Sequence, residues 1–224
     1  MKTQMIYRAF VFMLGLLTSA LLLTSCSKLN APKDNSSSRS VAAAEPTQTL
    51  KNLQTAYNGE SNARARYLAF AQKAEVDGYG KVASLFRAAA RAEEIHANNH
   101  SKVISQLGGK PAAEIDTPEV GDTAANLDAA IKGESYERDT MYPDFLKQAR
   151  QDGATEAVRT FNLARNAETE HAKLYGEARS NLGAWKGDKQ AFYVCPVCGF
   201  TTKDLNFDKC PSSFTPREKF MTIS

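Results

Sequence analysis

Apolar residues between Thr47 and Leu182 recur at steps of three and four, the spacing that lines one face of a helix. Four such stripes follow one another. The first runs Leu50, Leu53, Tyr57, Glu60, Ala63, Tyr67, Phe70, and the second Val82, Phe86, Ala89, Glu93, His96, His100, Val103, Leu107. The third is Leu127, Ile131, Glu134, Glu137, Met141, Phe145, Ala149, and the fourth Val158, Phe161, Ala164, Glu168, His171, Tyr175, Ala178, Leu182. Breakers stand where four helices need them. Asp77-Gly78 and Asp152-Gly153 make short turns, and Gly108-Gly109-Lys110-Pro111 ends the second helix before a longer connection to about Gly121. Two antiparallel hairpins joined by one crossover follow, an all-α four-helix bundle over residues 47–183. Pro143 falls inside the third helix and predicts a kink or local distortion there.

The hairpins repeat one another. Gly59-Glu60-Ser61 matches Gly133-Glu134-Ser135 at an offset of 74. Asp77-Gly78, Phe86, Ala92-Glu93 and His96-Ala97 match Asp152-Gly153, Phe161, Ala167-Glu168 and His171-Ala172 at an offset of 75. Two hairpins of one pattern pack about a pseudo-two-fold axis, so whatever the first gives to the centre the second gives too.

Each stripe is apolar except at its middle, where Glu or His replaces a core residue. An ionised carboxylate buried alone is very costly, and proteins avoid that by pairing it or by coordinating metal. Glu60, Glu93, Glu134, Glu137 and Glu168 converge here with few Lys or Arg on their stripes. A cation is the economical explanation. Residues three apart share a helix face about 5–6 Å apart at Cβ, so Glu93/His96 and Glu168/His171 can each offer an oxygen and a nitrogen to one centre. One Glu from each of two helices, with Glu-x-x-His from each of the other two, is the ligand pattern of ferritin-like dimetal carboxylate bundles. Oxygen-rich ligands with one imidazole per metal suit iron or manganese better than copper, and the absence of thiolates argues against structural zinc. The repeat is imperfect at Glu137, whose counterpart is Ala63, so the extra carboxylate serves one side only.

Composition is that of a globular protein, 42% hydrophobic and 24% charged. Formal net charge is +3, and it falls to +1 without Lys2 and Arg8, which leaves no case for nucleic-acid binding. Those two residues head a leader. Ala9 to Leu23 is an almost unbroken apolar run, short for a membrane span, which needs roughly 20 residues. Leu23-Thr24-Ser25-Cys26 resembles a bacterial lipobox, implying a signal peptide over 1–25 and lipidation of Cys26. Several acyl chains on one residue anchor a protein stably. Residues 26–46, rich in Ser, Pro and Ala, read as a flexible tether. Ser27, in place of Asp, points by lipoprotein sorting to the periplasmic face of the outer membrane.

The segments NGESNARARY, AEEIHA, GESYERDTMYPDF and AETEHAKLY resemble, in order and spacing, the four helix motifs of the rubrerythrin family. The resemblance covers Leu50 to Leu182 and resumes in the C-terminal tail. It implies an oxo- or hydroxo-bridged di-iron site with Glu60, Glu93, His96, Glu134, Glu137, Glu168 and His171 as ligands, one iron moving between Glu137 and His96 on redox change. It also implies reduction of hydrogen peroxide to water, a separate electron donor, and a homodimer in which one chain's tail approaches the other's bundle. Tyr67 and Tyr142 match tyrosines that hydrogen-bond near the ligating carboxylates; plain core aromatics with satisfied hydroxyls are the other reading. His100, which is no ligand in the family, reads as packing or surface. Iron oxidation with sequestration is a rival activity, and an iron-binding electron-transfer lipoprotein without turnover is a non-enzymatic one.

The tail, 192–224 after a linker at 184–191, holds Cys195-Pro196-Val197-Cys198-Gly199 and then Cys210-Pro211-Ser212-Ser213. It resembles a rubredoxin-like β/loop module with two metal knuckles, but Ser213 stands where the fourth cysteine belongs. Three outcomes stay open: an iron site of altered potential on Cys195, Cys198 and Cys210, a zinc or empty knuckle, or oxidation of Cys195 with Cys198 in an oxidising compartment.

Overall fold

The computed structural model describes residues 46–224; the leader, Cys26 and the tether up to residue 45 lie outside the described residues. Thr47 caps the first helix by accepting from the Leu50 amide, and α1 spans Gln48–Val76. Gly78, at φ +80°, turns the chain into α2, Gly80–Gln106. After the crossover, Asp122 caps α3, Thr123–Tyr136, by accepting from Ala125 N at 2.8 Å. A π-helical turn, Glu137–Met141, joins α3 to α4, Tyr142–Gln151. Gly153, at φ +66°, leads into α5, Thr155–Ser180. The result is the mostly helical ferritin-like bundle expected, with α3, the π turn and α4 as its third rod.

The distortion at Pro143 has a defined form. Within the π turn the Tyr142 amide reaches back five residues to the Glu137 carbonyl. Continuing that pattern, the Arg138 carbonyl would need the amide of residue 143, and proline has none. Arg165 on α5 supplies the missing donor, its Nε 2.9 Å from that carbonyl. The π turn also explains the repeat. Glu134 lies 74 residues after Glu60 but Tyr142 lies 75 after Tyr67. The one extra residue of the second hairpin is the residue that the wider turn absorbs.

Each hairpin turn clamps the other hairpin. Asp77 Oδ2 accepts from Thr123 Oγ1 at 2.8 Å, and Asp152 Oδ2 accepts from Thr49 Oγ1 at 2.6 Å. These are repeat-related contacts at the two ends of the bundle. Between them lie two apolar clusters. One holds Tyr67, Phe70, Phe86 and Tyr175, the other Leu53, Ile104, Tyr142, Leu146 and Phe161. The polar middles of the four stripes lie between these clusters.

A 3-10 turn, Leu182–Trp185, starts the tail, and Gly187 pins it beside the α1–α2 turn through hydrogen bonds with Gly80 N and Gly78 O. A three-stranded antiparallel sheet follows, β1 Phe192–Val194 between β2 Thr201–Thr202 and β3 Met221–Ile223. Phe192 and Val194 extend the first apolar cluster. The tail therefore meets the bundle of its own chain.

Candidate metal centre

α1 carries Glu60, α2 Glu93 and His96, α3 Glu134, the π turn Glu137, and α5 Glu168 and His171. All seven are buried, Glu137 least so at 9% exposed. Six of them form two groups whose ligand atoms lie within 4.8 Å of one another: Glu60, Glu93, His96 and Glu168, and Glu93, Glu134, Glu168 and His171. Glu93 and Glu168 belong to both. Two metals would share these carboxylates as bridges, with Glu60 and His96 terminal on one and Glu134 and His171 terminal on the other. Glu137 stands outside both groups.

The terminal carboxylates are oriented crosswise by the repeat. Tyr67 donates to Glu134 Oε1 at 2.6 Å, and its counterpart Tyr142 donates to Glu60 Oε1. The other oxygens, Glu60 Oε2 and Glu134 Oε2, have no hydrogen-bond partner among the described residues, nor have Glu93 Oε1, both oxygens of Glu168, or His171 Nδ1. So many orphaned buried acceptors in one place fit cations, since each alone would be costly.

Both imidazoles are set by the tail. His96 Nε2 lies 3.0 Å from the Cys198 carbonyl, which can only accept, so Nε2 carries the proton. His171 Nε2 lies 3.1 Å from Thr201 Oγ1, whose own proton goes to the Gly199 carbonyl at 2.9 Å, so His171 Nε2 is again the donor. In each ring Nδ1 faces the carboxylates: His96 Nδ1 is 2.8 Å from Glu93, and His171 Nδ1 2.9 Å from Glu168. Partners of this kind fix ligand tautomers at metal sites. Gly199 permits the approach, because a Cβ there would come within 2.4 Å of His96 Nε2.

Electrostatics match. Burial, then the Glu134 charge, raises the Glu93 pKa; burial and Glu60 push Glu137 well up. Burial lifts Glu168 to about 8 against the pull of His96. Burial is the largest single influence on His96 and His171 and opposes their charge, but the surrounding carboxylates, led by Glu168 for His96 and Glu134 for His171, together outweigh it and raise both. Protons would thus gather where a metal would sit, and metal binding displaces them.

His100 is neither surface nor plain packing. It is fully buried, with Nε2 3.0 Å from Tyr142 OH and Nδ1 3.1 Å from Thr160 Oγ1. Burial lowers its pKa despite Glu60 nearby, so the ring is neutral. Because Tyr142 donates to Glu60, the donors run one way: Thr160 to His100, His100 to Tyr142, Tyr142 to Glu60. Its repeat partner is Tyr175, which packs 5.6 Å from Tyr67. That equivalence was the available signal.

In the tail, Cys195, Cys198 and Cys210 are buried and their sulfurs lie within 4.8 Å of one another. Ser213 Oγ is 3.2 Å from Cys195 Sγ.

The rubrerythrin family pattern matches residues 51–178. Nigerythrin of Nitratidesulfovibrio vulgaris is 38% identical over 77% of this chain and 85% of its own length. Rubrerythrin-2 of Clostridium acetobutylicum is 40% identical over 76% of this chain and 94% of its own. The fully reduced, all-ferrous structure of nigerythrin superposes with a TM-score of 0.73 at 34% identity, covering 82% of this chain and 91% of that one.

Proposed function

The chain belongs to the rubrerythrin family, and on that premise we propose that its bundle reduces hydrogen peroxide to water with a pair of iron ions. The observation that carries this reading is the pair of four-ligand groups sharing Glu93 and Glu168. When bound, the irons supply two electrons and polarise the peroxide. Glu93 and Glu168, with Glu60, Glu134, His96 and His171, would hold them, the last four already oriented by hydrogen bonds with Tyr142, Tyr67, Cys198 and Thr201. Tyr142, fully buried, keeps its proton on Oη beside Glu60, its pKa raised by burial and by that carboxylate. Thr160 lines a surface cavity of about 320 Å³, so the Thr160–His100–Tyr142 chain leads from solvent toward the site and replaces protons that reduction consumes.

Glu137 is proposed as the additional ligand of one iron, exchanging with His96. Electrons reach the bundle from a donor outside the chain, entering beside Cys198, whose carbonyl touches His96. The chain is proposed to act as a homodimer, tethered through Cys26 to the periplasmic face of the outer membrane; the Leu-Thr-Ser-Cys run supports that placement. No helix among the described residues is long and apolar enough to cross a membrane. Anaerobic reduction followed by stopped-flow mixing tests the activity. Fast reoxidation by peroxide with slow reaction toward oxygen is expected. Preferential reaction with oxygen would turn the reading to a ferroxidase, and reoxidation by neither would leave a binding protein.

A further inference from the structure

The second tail knuckle keeps the first cysteine and proline but has Ser213 and Phe214 where the first has Cys198 and Gly199, yet it keeps the shape. Offset by 15, Cys195, Pro196, Cys198 and Gly199 correspond to Cys210, Pro211, Ser213 and Phe214. Gly199 N donates to the Cys195 carbonyl at 3.0 Å, and Phe214 N to the Cys210 carbonyl at 3.0 Å. Cys195 N reaches the Phe200 carbonyl at 2.9 Å, and Cys210 N the Thr215 carbonyl at 2.7 Å. Gly199 has φ +74°, and Phe214 holds the same left-handed region at +59°. Phe214 is the only non-glycine residue so placed among those described, at a cost of order 1–3 kcal/mol for a bulky side chain. A loop released from metal binding would have no reason to keep that conformation.

The four donor atoms also make a cage of the right size. Cys198 Sγ and Cys210 Sγ are 3.5 Å apart, and Cys195 Sγ and Ser213 Oγ 3.2 Å. These two pairs share no atom, as opposite edges of a tetrahedron do, and the three sulfurs all lie within 4.8 Å of one another. A tetrahedral metal with sulfurs at ~2.3 Å and an oxygen at ~2.0 Å has sulfur–sulfur edges of ~3.8 Å and sulfur–oxygen edges of ~3.5 Å. The two observed separations are shorter than these by only a few tenths of an ångström. Ser213 Oγ has one further neighbour, Thr215 Oγ1 at 2.8 Å, which is 7% exposed and able to donate to it. The Ser213 amide points at Cys210 Sγ, 3.5 Å away, as knuckle amides do toward ligating sulfur.

We propose that Ser213 Oγ is the fourth ligand of a mononuclear iron held by Cys195, Cys198 and Cys210, with the Thr215 hydroxyl hydrogen-bonded to that oxygen. The serine replaces the missing thiolate and the site stays closed. Oxygen is a harder donor than sulfur and favours the ferric state, so this centre has a lower midpoint potential than an all-thiolate one. Metal binding releases the hydroxyl and thiol protons to solvent. The proposal stands whether or not the bundle reduces peroxide.

The test uses the full chain, reconstituted anaerobically with ferrous iron and then oxidised. The parent should hold a third iron showing thiolate-to-ferric charge-transfer bands and a mononuclear high-spin ferric resonance distinct from the coupled bundle pair. Ser213→Cys should move the bands to lower energy and raise the midpoint. Ser213→Ala should lose the third iron to a chelator at least tenfold faster, while Thr215→Val keeps it with a lower midpoint. Identical bands and midpoint in the parent, Ser213→Cys and Ser213→Ala would overturn serine ligation. So would a tail that takes up zinc but no iron, or one whose Cys195 and Cys198 are found as a disulfide. Ser213→Cys restores a ligand and serves as the folding control for the alanine variant; bundle iron content in every variant separates a tail effect from global loss.

Discussion

Glu168, like Glu93, belongs to both metal groups, and its two oxygens have no hydrogen-bond partner among the described residues. Glu168→Ala should therefore remove both bundle irons, whereas Glu60→Ala, which touches one group only, should remove or loosen one; iron per chain measured after gel filtration decides. Two irons retained in Glu168→Ala would sink the bridging assignment. His100 makes a subtler case, since it acts through Tyr142. His100→Leu leaves the Tyr142 oxygen and Thr160 hydroxyl without their buried partner, a loss of ~1–3 kcal/mol. The expected result is a lower melting temperature and several-fold slower reoxidation by peroxide, with iron content unchanged. At this scale the convergence was legible: a Glu or His in the middle of an apolar stripe has few meanings, and six of the seven residues expected as ligands fall in the two groups, with Glu137 buried outside them. His100 was not legible, because its role lies in hydrogen bonds with Tyr142 and Thr160, which sit on two other helices.

Among the elements, the π turn is the feature that most needs its neighbours. Its Arg138 carbonyl is served by the Arg165 side chain from α5. Arg165→Leu should leave that carbonyl unpaired and let the turn relax, destabilising the bundle by ~1–3 kcal/mol and shifting the spectrum of the oxidised iron pair through Glu137. Thermal unfolding and visible absorption of the same sample check both. The change of repeat offset from 74 to 75 already marked one inserted residue between Glu137 and Tyr142. Pro143 pointed to the same place, but neither says that the insertion takes the form of a π turn. The clamps at the bundle ends were hidden for another reason. Asp77 and Asp152 sit in turn motifs that account for them fully, and their bonds to Thr123 and Thr49 cross between hairpins. Lys73, then Thr123, hold Asp77 below the usual carboxylate range, and Thr49 does the same for Asp152. A depressed carboxylate stabilises fully above its unfolded pKa of about 4 and loses that contribution as pH falls through the folded value. Thr49→Val and Thr123→Val should accordingly lower the melting temperature at pH 7 and narrow its fall toward pH 3.

For the whole molecule, the bundle and the tail are one object built around the metal centre. The tail closes over the histidines, the tyrosines orient the terminal carboxylates, and the apolar clusters on either side keep water away. Without metal, this arrangement stores its cost in protons. Glu168, with a pKa lifted to about 8, and Glu93, Glu137, His96 and His171, all raised, bind protons more tightly folded than unfolded. Such groups contribute stability that is complete below their unfolded pKa values, about 4.3 for Glu and 6.5 for His, and is lost as pH rises through the folded ones. Glu60 runs the other way, since His96 and His100 overcome its burial, but its transition lies at the acid end. Chelator-stripped protein should therefore melt ~5–10 °C lower at pH 8 than at pH 5.5, given ~2–4 °C per kcal/mol for a chain of this size. Iron-loaded protein should show no such fall, because the cations replace the protons at the same oxygens and nitrogens. A stripped protein as stable at pH 8 as at pH 5.5 would mean that the carboxylates find other partners when the metals leave, and that the bundle is less rigid around its centre than its packing indicates.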